Sequence, residues 1–223
     1  MDEYIEKIQK HPLFLRLKDV VENNAWHDHE DVFTHSVKTK DIALREINSD
    51  FITNTEAKEK FLRFINEYIN GFKRADLLIL IALLHDIGKI VSIKKGESLR
   101  SIEVTDDKGI TSPPGHEYWG STIVHGILKD LSLDDEVAAY ITKGIKVHDA
   151  FQGEYFPSKK DWPKEKLIND IKSRAEGLYI ESMFNNMCDV YTATPFQPYK
   201  ELVFKIFNEP DFYERQEYVI AGV

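Results

Sequence analysis

The sequence predicts an all-α fold, a bundle of packed helices with one small β-hairpin near residues 101–112. Three observations carry this. Apolar residues recur at helical spacing in segment after segment. Residues 75–90 are apolar on nearly every side, which suits a buried central helix. No Pro/Gly/Ser-rich linker and no internal repeat divides the 223 residues. A hydrophobic share of 42% and a charged share of 30% suit a sizeable core and exclude disorder as the main state.

Each element has its own signal. Residues 13–21 follow Pro12, a favoured residue at a helix start. Residues 32–47 space Val32, Val37, Ile42, Ala43 and Ile47 among polar neighbours. Residues 55–69 carry Phe61, Leu62, Ile65, Tyr68 and Ile69, with Gly71 placed to stop the helix. Residues 116–131 and 134–147 form a helical pair jointed at 131–134. Residues 172–191 read as one long helix, and 199–207 as a short one after Pro195 and Pro198. Around Gly109, Ile102, Val104 and Ile110 alternate with polar residues, as in a small hairpin or an irregular loop.

Composition narrows the function. Lys and Arg number 29 against 38 Asp and Glu, a net charge of -9. That excludes broad, charge-driven nucleic-acid binding but not a local basic groove. One cysteine, Cys188, excludes an internal disulfide and a Cys-cluster zinc site. The first ten residues lack the apolar stretch of a secretion signal. The longest apolar run, 77–84, is far short of the ~18 residues needed to cross a bilayer. The expectation is a soluble, cytoplasmic protein with no membrane partner.

The strongest chemical signal is Leu83-Leu84-His85-Asp86-Ile87-Gly88-Lys89. Two metal-ligand types sit side by side where an apolar helix ends. Helical neighbours diverge by about 100°, so both can reach one ion lying off that face. Lys89 lies one turn on from His85 and can lean over the same site. The plainer alternative is a surface His-Asp pair with Lys89 as an exposed helix-end cation. Taken singly, His35, His116, His148 and Asp189 are also ordinary capping or surface groups. His125, nine residues after His116, faces away from it, and His11 belongs at the surface before Pro12.

As an ordered set, His35, His85-Asp86, His116, His148 and Asp189 resemble the signature of the HD superfamily of metal-dependent phosphohydrolases. The resemblance spans residues 26–193 of a domain expected to fill 1–223. It implies an HD-type helical bundle in which His35, His85, Asp86 and Asp189 bind one divalent ion. It also implies His116 and His148 as ligands of a second ion bridged by Asp86. One branch of the superfamily has a His-His pair where this chain has His148-Asp149. Asp149 therefore either replaces that ligand or points to solvent. Residues 26–35 and 82–89 are similar to the HD domains of bacterial tRNA nucleotidyltransferases, which implies a substrate contact for His27. The alternative for His27 is a capped loop before the helix. No nucleotide-adding head is present, so the expectation is a stand-alone hydrolase.

The residue types suit Mn, Fe, Co, Ni, Zn or Mg, as one ion or two. Metal lowers the pKa of a bound water from ~15.7 toward ~7. Asp86 and Lys89 are the expected catalytic residues, Lys89 also meeting substrate phosphate. Asn185 and Asn186, one turn before Asp189, are placed to hydrogen-bond a ligating carboxylate. Residues 140–175 hold eight Lys and Arg against five Asp and Glu, together with Phe151, Tyr155, Phe156 and Trp162. Residues 149–162 read as a mobile cover in which Phe151 and Tyr155 stack on a base and Lys159 and Lys160 meet phosphate. They read equally as a loop whose aromatics plug the bundle. The functional expectation is hydrolysis of a phosphoester in a nucleotide, another phosphorylated small molecule, or a nucleic-acid end. The alternative is a non-catalytic HD-like module that binds a nucleotide or a partner helix.

Overall fold

The computed structural model describes residues 1–22, 29–91, 115–151 and 155–214. The hairpin expected at 101–112, and His27, lie outside these residues. Of the described residues 73% are helical, and they form ten α-helices and two small antiparallel strand pairs. The helices run α1 Asp2–Lys10, α2 Pro12–Leu15, α3 Val32–Glu46, α4 Thr55–Ile65, α5 Arg74–Leu84, α6 His116–Asp130, α7 Asp135–Lys146, α8 Lys164–Lys172, α9 Tyr179–Asp189 and α10 Gln197–Phe207. The strands are β1 Val21–Glu22 with β2 Glu30–Asp31, and β3 Tyr68–Ile69 with β4 Phe72–Lys73. Among the described residues no helix is long and apolar enough to cross a membrane.

Side chains fix several helix starts. Asp31 accepts from the Thr34 N–H at 2.8 Å and so begins α3. Asn54 accepts from Ala57 at 3.0 Å for α4, and Asp134 from Glu136 at 2.8 Å for α7. His11 is not a plain surface residue. Its Nδ1 accepts from the Leu13 N–H at 3.2 Å, capping α2, with Pro12 in the first turn.

α5 is the axis of the core. All eight residues from Leu77 to Leu84 are buried, so it has no polar face to turn to solvent. At about 1.5–3 kcal/mol per fully buried large aliphatic side chain, it is a major source of stability. α3, α7 and α9 pack around it. α6 lies along α7 and against the 3₁₀ turn Ile87–Ile90 that follows α5. That last contact is close. A Cβ added at Gly88 would lie 1.9 Å from the His116 carbonyl oxygen and 2.5 Å from the Gly120 nitrogen.

Two sequence expectations need correcting. Residues 172–191 are not one helix. α8 ends at Lys172, then Ala175 and Glu176 take left-handed backbone angles (φ 55° and 49°), and α9 begins at Tyr179. Gly71 does not stop α4, which ends at Ile65. With Asn70 it makes the tight turn between β3 and β4, both residues at positive φ. α1 and α8 carry no expectation from sequence. α1 buries only Ile5 and Ile8, and its charged face holds the Glu3–Lys7 pair at 2.7 Å.

The Gly88 contact sets a clear contrast. Gly88→Ala drives a methyl into backbone and is expected to cost about 3 kcal/mol, lowering the melting temperature by roughly 6–12 °C. Gly126→Ala lies on the same α6, and its added methyl would meet only Leu13 Cδ1 at 3.9 Å. That change is expected to stabilise by about 0.5–1 kcal/mol through helix propensity. Thermal melts of the two variants measure both signs.

Candidate metal centre

α3 turns polar side chains into the core. His35, Ser36, Thr39 and Lys40 are all buried on its inner face. His85 follows the last residue of α5, and Asp86 lies next to it, 1% exposed. His116 opens α6. His148 begins the 3₁₀ turn His148–Phe151 after α7, and Asp189 ends α9. Helix ends thus deliver most of the functional groups to one point.

The four imidazoles present the same atom. His85 donates through Nδ1 to the Ala82 carbonyl at 2.9 Å, and His148 through Nδ1 to the Ile145 carbonyl at 2.6 Å. His35 Nδ1 faces Glu30 Oε2 at 3.9 Å, and His116 Nδ1 faces Glu117 Oε2 at 3.8 Å. Every Nε2 points inward. His35 Nε2 lies 2.7 Å from Asp189 Oδ1, and His85 Nε2 lies 3.5 Å from the same oxygen. His116 Nε2 and His148 Nε2 stand 3.1 Å apart. Orientation of ring nitrogens by outer partners is the usual arrangement of metal-binding histidines.

Asp86 divides its two oxygens. Oδ2 faces His85 Nε2 at 3.3 Å, His35 Nε2 at 3.7 Å and Lys89 Nζ at 2.8 Å. Oδ1 faces His116 Nε2 at 3.2 Å and His148 Nε2 at 3.9 Å. Three groups have donor atoms mutually within 4.8 Å: His35–His85–Asp189, Asp86–His116–His148, and the more exposed His116–Glu117–Asp149. The residues fit a cation. His85 Nε2 is buried without a hydrogen-bond partner, and two imidazole nitrogens face one another across the gap.

The electrostatics point the same way. Burial alone would raise the pKa of Asp86, but the positive charges of His85 and Lys89 overcome it and hold the carboxyl well below its usual range. Asp189 is likewise held low, burial being outweighed by His85 and His35. Burial opposes protonation of His85, yet Asp86 and Asp189 raise its pKa well above the ordinary imidazole value. The centre keeps its carboxylates ionised and attracts positive charge.

The structure changes several sequence readings. Lys89 is not an exposed helix-end cation. It is 7% exposed, with Nζ 2.8 Å from both Asp86 Oδ2 and Glu22 Oε2. Glu22 was not foreseen. It arrives on β1 from 67 residues away, with no motif to mark it. Asp149 does not point to solvent. Its Oδ1 is 3.0 Å from His148 Nε2 and its Oδ2 3.4 Å from His116 Nε2.

Phe151 and Tyr155 do not stack on substrate. They are core residues, as is Phe156, and the three pack edge-to-face. The Tyr155 hydroxyl is further tied to Asp170 at 2.8 Å. Lys159 rests over the Tyr155 and Trp162 rings, at 4.4 and 5.0 Å, rather than reaching for phosphate. The described part of 149–162 is therefore a plug for the bundle and not a base-stacking cover. Asn185 and Asn186 are buried, but among the described residues neither amide hydrogen-bonds a site carboxylate. Asp189 is taken up by His35 and His85 instead.

A family model described as the HD domain matches residues 32–168, more than half of the chain. The match includes His35, His85, Asp86, His116 and His148 and stops short of Asp189, which the fold brings to His35. A search of curated proteins found no match.

Two variants check this anatomy. Lys89→Met removes the ammonium from between two buried carboxylates and is expected to destabilise the metal-free protein by about 3–5 kcal/mol. Urea denaturation measures it, with Lys89→Met/Glu22→Met expected to recover most of the loss. Phe151→Ala, at a site 1% exposed, is expected to cost about 3–5 kcal/mol by the same measurement.

Proposed function

The chain belongs to the HD domain family, a superfamily of metal-dependent phosphohydrolases, and from that premise we propose that it cleaves a phosphoester of a nucleotide or nucleic-acid end with two divalent ions. The observation that carries the two-ion reading is the Asp86 carboxylate, whose oxygens face two separate donor groups. His35, His85 and Asp189 would hold one ion, and His116 and His148 the other, with Asp86 available to both. Mn, Fe, Co, Ni, Zn and Mg all suit such imidazole–carboxylate sets. When bound, the ions supply an acidified water and Lewis acidity toward phosphoryl oxygens.

The protein's own groups do the positioning. Lys89 fixes the Asp86 carboxylate from one side and adds a positive charge where phosphate binds. Glu22 holds Lys89 in turn. The packed aromatics and aliphatics around α5 exclude bulk water, which strengthens each of these interactions. A nucleoside finds aromatic surface at the start of α6. Tyr118 and Trp119 follow His116 closely and pack edge-to-face at 5.3 Å, with Tyr118 59% exposed.

The test uses the full chain stripped with a chelator and reloaded with Mn. Hydrolysis of nucleotides, cyclic phosphodiesters and a small aryl phosphate is expected only after reloading. Asp86→Asn is expected to lose bound metal and all turnover. Tyr118→Ala/Trp119→Ala is expected to raise KM for the nucleotide by ~10-fold or more, from a stacking loss of about 1–3 kcal/mol, with aryl phosphate unaffected. Nucleotide binding by the loaded protein without turnover would make it a non-catalytic HD module instead.

A further inference from the structure

We propose that Ser182 is a positioning residue for the second ion, fixing from α9 the peptide that aims His148. The proposal rests on the two-ion reading. It gives α9 a part in both halves of the centre, through Asp189 in one and through Ser182 in the other.

His148 is the histidine that its own helix holds least. His35 lies within α3, and His116 opens α6. His85 keeps helical angles beyond the end of α5, φ -52° and ψ -39°. α7 instead ends at Lys146, and Val147 leaves the helix at φ -107° and ψ 6°. The His148 ring is tied through Nδ1 to the Ile145 carbonyl at 2.6 Å. That bond aims the ring only as well as the peptide beneath it is held. Ser182 supplies the hold. It is 1% exposed, and its Oγ donates to the Val147 carbonyl at 2.7 Å and lies 3.4 Å from the His148 carbonyl. These two carbonyls stand on either side of the His148 α-carbon. A helical serine often returns its hydroxyl to the carbonyl one turn back. Here the Leu178 carbonyl takes the Ser182 N–H at 2.9 Å, and the hydroxyl crosses to another element.

α9 is anchored firmly enough to serve as the reference. Glu181, next to Ser182, accepts from Arg74 Nη1 at 2.8 Å and from the Tyr140 hydroxyl at 2.9 Å, which ties α9 to α5 and α7. Asp189 follows seven residues after Ser182 and lies 2.7 Å from His35 Nε2. Seven residues are two helical turns to within about 20°, so both side chains leave the same face of α9. Without the Ser182 hydroxyl, the Val147 carbonyl keeps the Ala150 N–H at 3.1 Å, a bond within the turn itself. The link from the turn to α9 is lost, while the contacts of Asp189 stay as they are.

The experiment is calorimetric titration of the chelator-stripped full chain with Mn²⁺, alongside thermal melts of the metal-free proteins. Wild type is expected to take two equivalents. Ser182→Ala is expected to bind the first as wild type does and to weaken the second by about 10–100-fold, the usual effect of removing a group that orients a ligand. Ser182→Cys, close in size and a weak donor, is expected to fall between wild type and Ser182→Ala, and it carries the test if the alanine variant does not fold. Tyr179→Phe is the control for a purely structural role. The Tyr179 hydroxyl is on the same helix but donates to the Phe212 carbonyl at 2.9 Å. Its loss is expected to lower the melting temperature and change neither affinity. An unchanged second equivalent in the folded Ser182 variants, or equal losses at both ions, would overturn the positioning role and leave the two-ion reading standing. A selective loss of the second ion in Tyr179→Phe would do the same. One equivalent or none in wild type would overturn the two-ion reading itself.

Discussion

A carboxylate sits where an entirely apolar helix ends, and much of the structure answers to it. Asp86 is 1% exposed at the C-terminal end of α5. An isolated charge in such surroundings costs several kcal/mol, so it must be surrounded by opposite charge. Lys89 supplies one, but Lys89 is itself buried and needs Glu22. Glu22 is held by the β1/β2 pairing, whose second strand runs straight into α3 and His35. The turn that carries Lys89 lies so close to α6 that only glycine fits at 88. One buried charge thus ties together the N-terminal segment, α3, α5 and α6.

Helix termini and ligand orientation are solved by the same hydrogen bonds. The last carbonyls of a helix lack intrahelical partners. At the ends of α5 and α7 the Ala82 and Ile145 carbonyls are taken by the Nδ1–H of His85 and His148. Each bond caps a helix, selects a tautomer and aims Nε2 inward. The centre therefore needs no dedicated framework beyond the helices that build the core.

Much of this was legible in the sequence, and the remainder was hidden for physical reasons. The apolar run before His85-Asp86 announced a buried helix ending in charge, and the helical periods located α3, α5, α6 and α7. The break between α8 and α9 was hidden because Ala175 and Glu176, ordinary helix formers, take left-handed angles there. Strands of two residues are too short to alternate. The Lys89–Glu22 pair spans 67 positions, and nothing local marks Glu22 as the partner of Lys89. Phe151 and Tyr155 show the limit of composition. An aromatic beside a site residue can face a ligand or the core, and only tertiary packing decides.

The donor groups also differ in when they can come together. His116 and His148 are 32 residues apart, whereas His35 and Asp189 are 154 apart. Closing the longer loop costs about 1.4 kcal/mol more chain entropy. On the ribosome the order is stricter still, because Asp86, His116, His148 and Asp149 all emerge before Asp189 is made. A growing chain can bring His116 and His148 near one another before α9 is made, but the turn that carries His148 is fixed only when Ser182 of α9 donates to the Val147 carbonyl. The half that joins α3 to α9 then acts as the closing latch, and its formation reports that synthesis has passed α9.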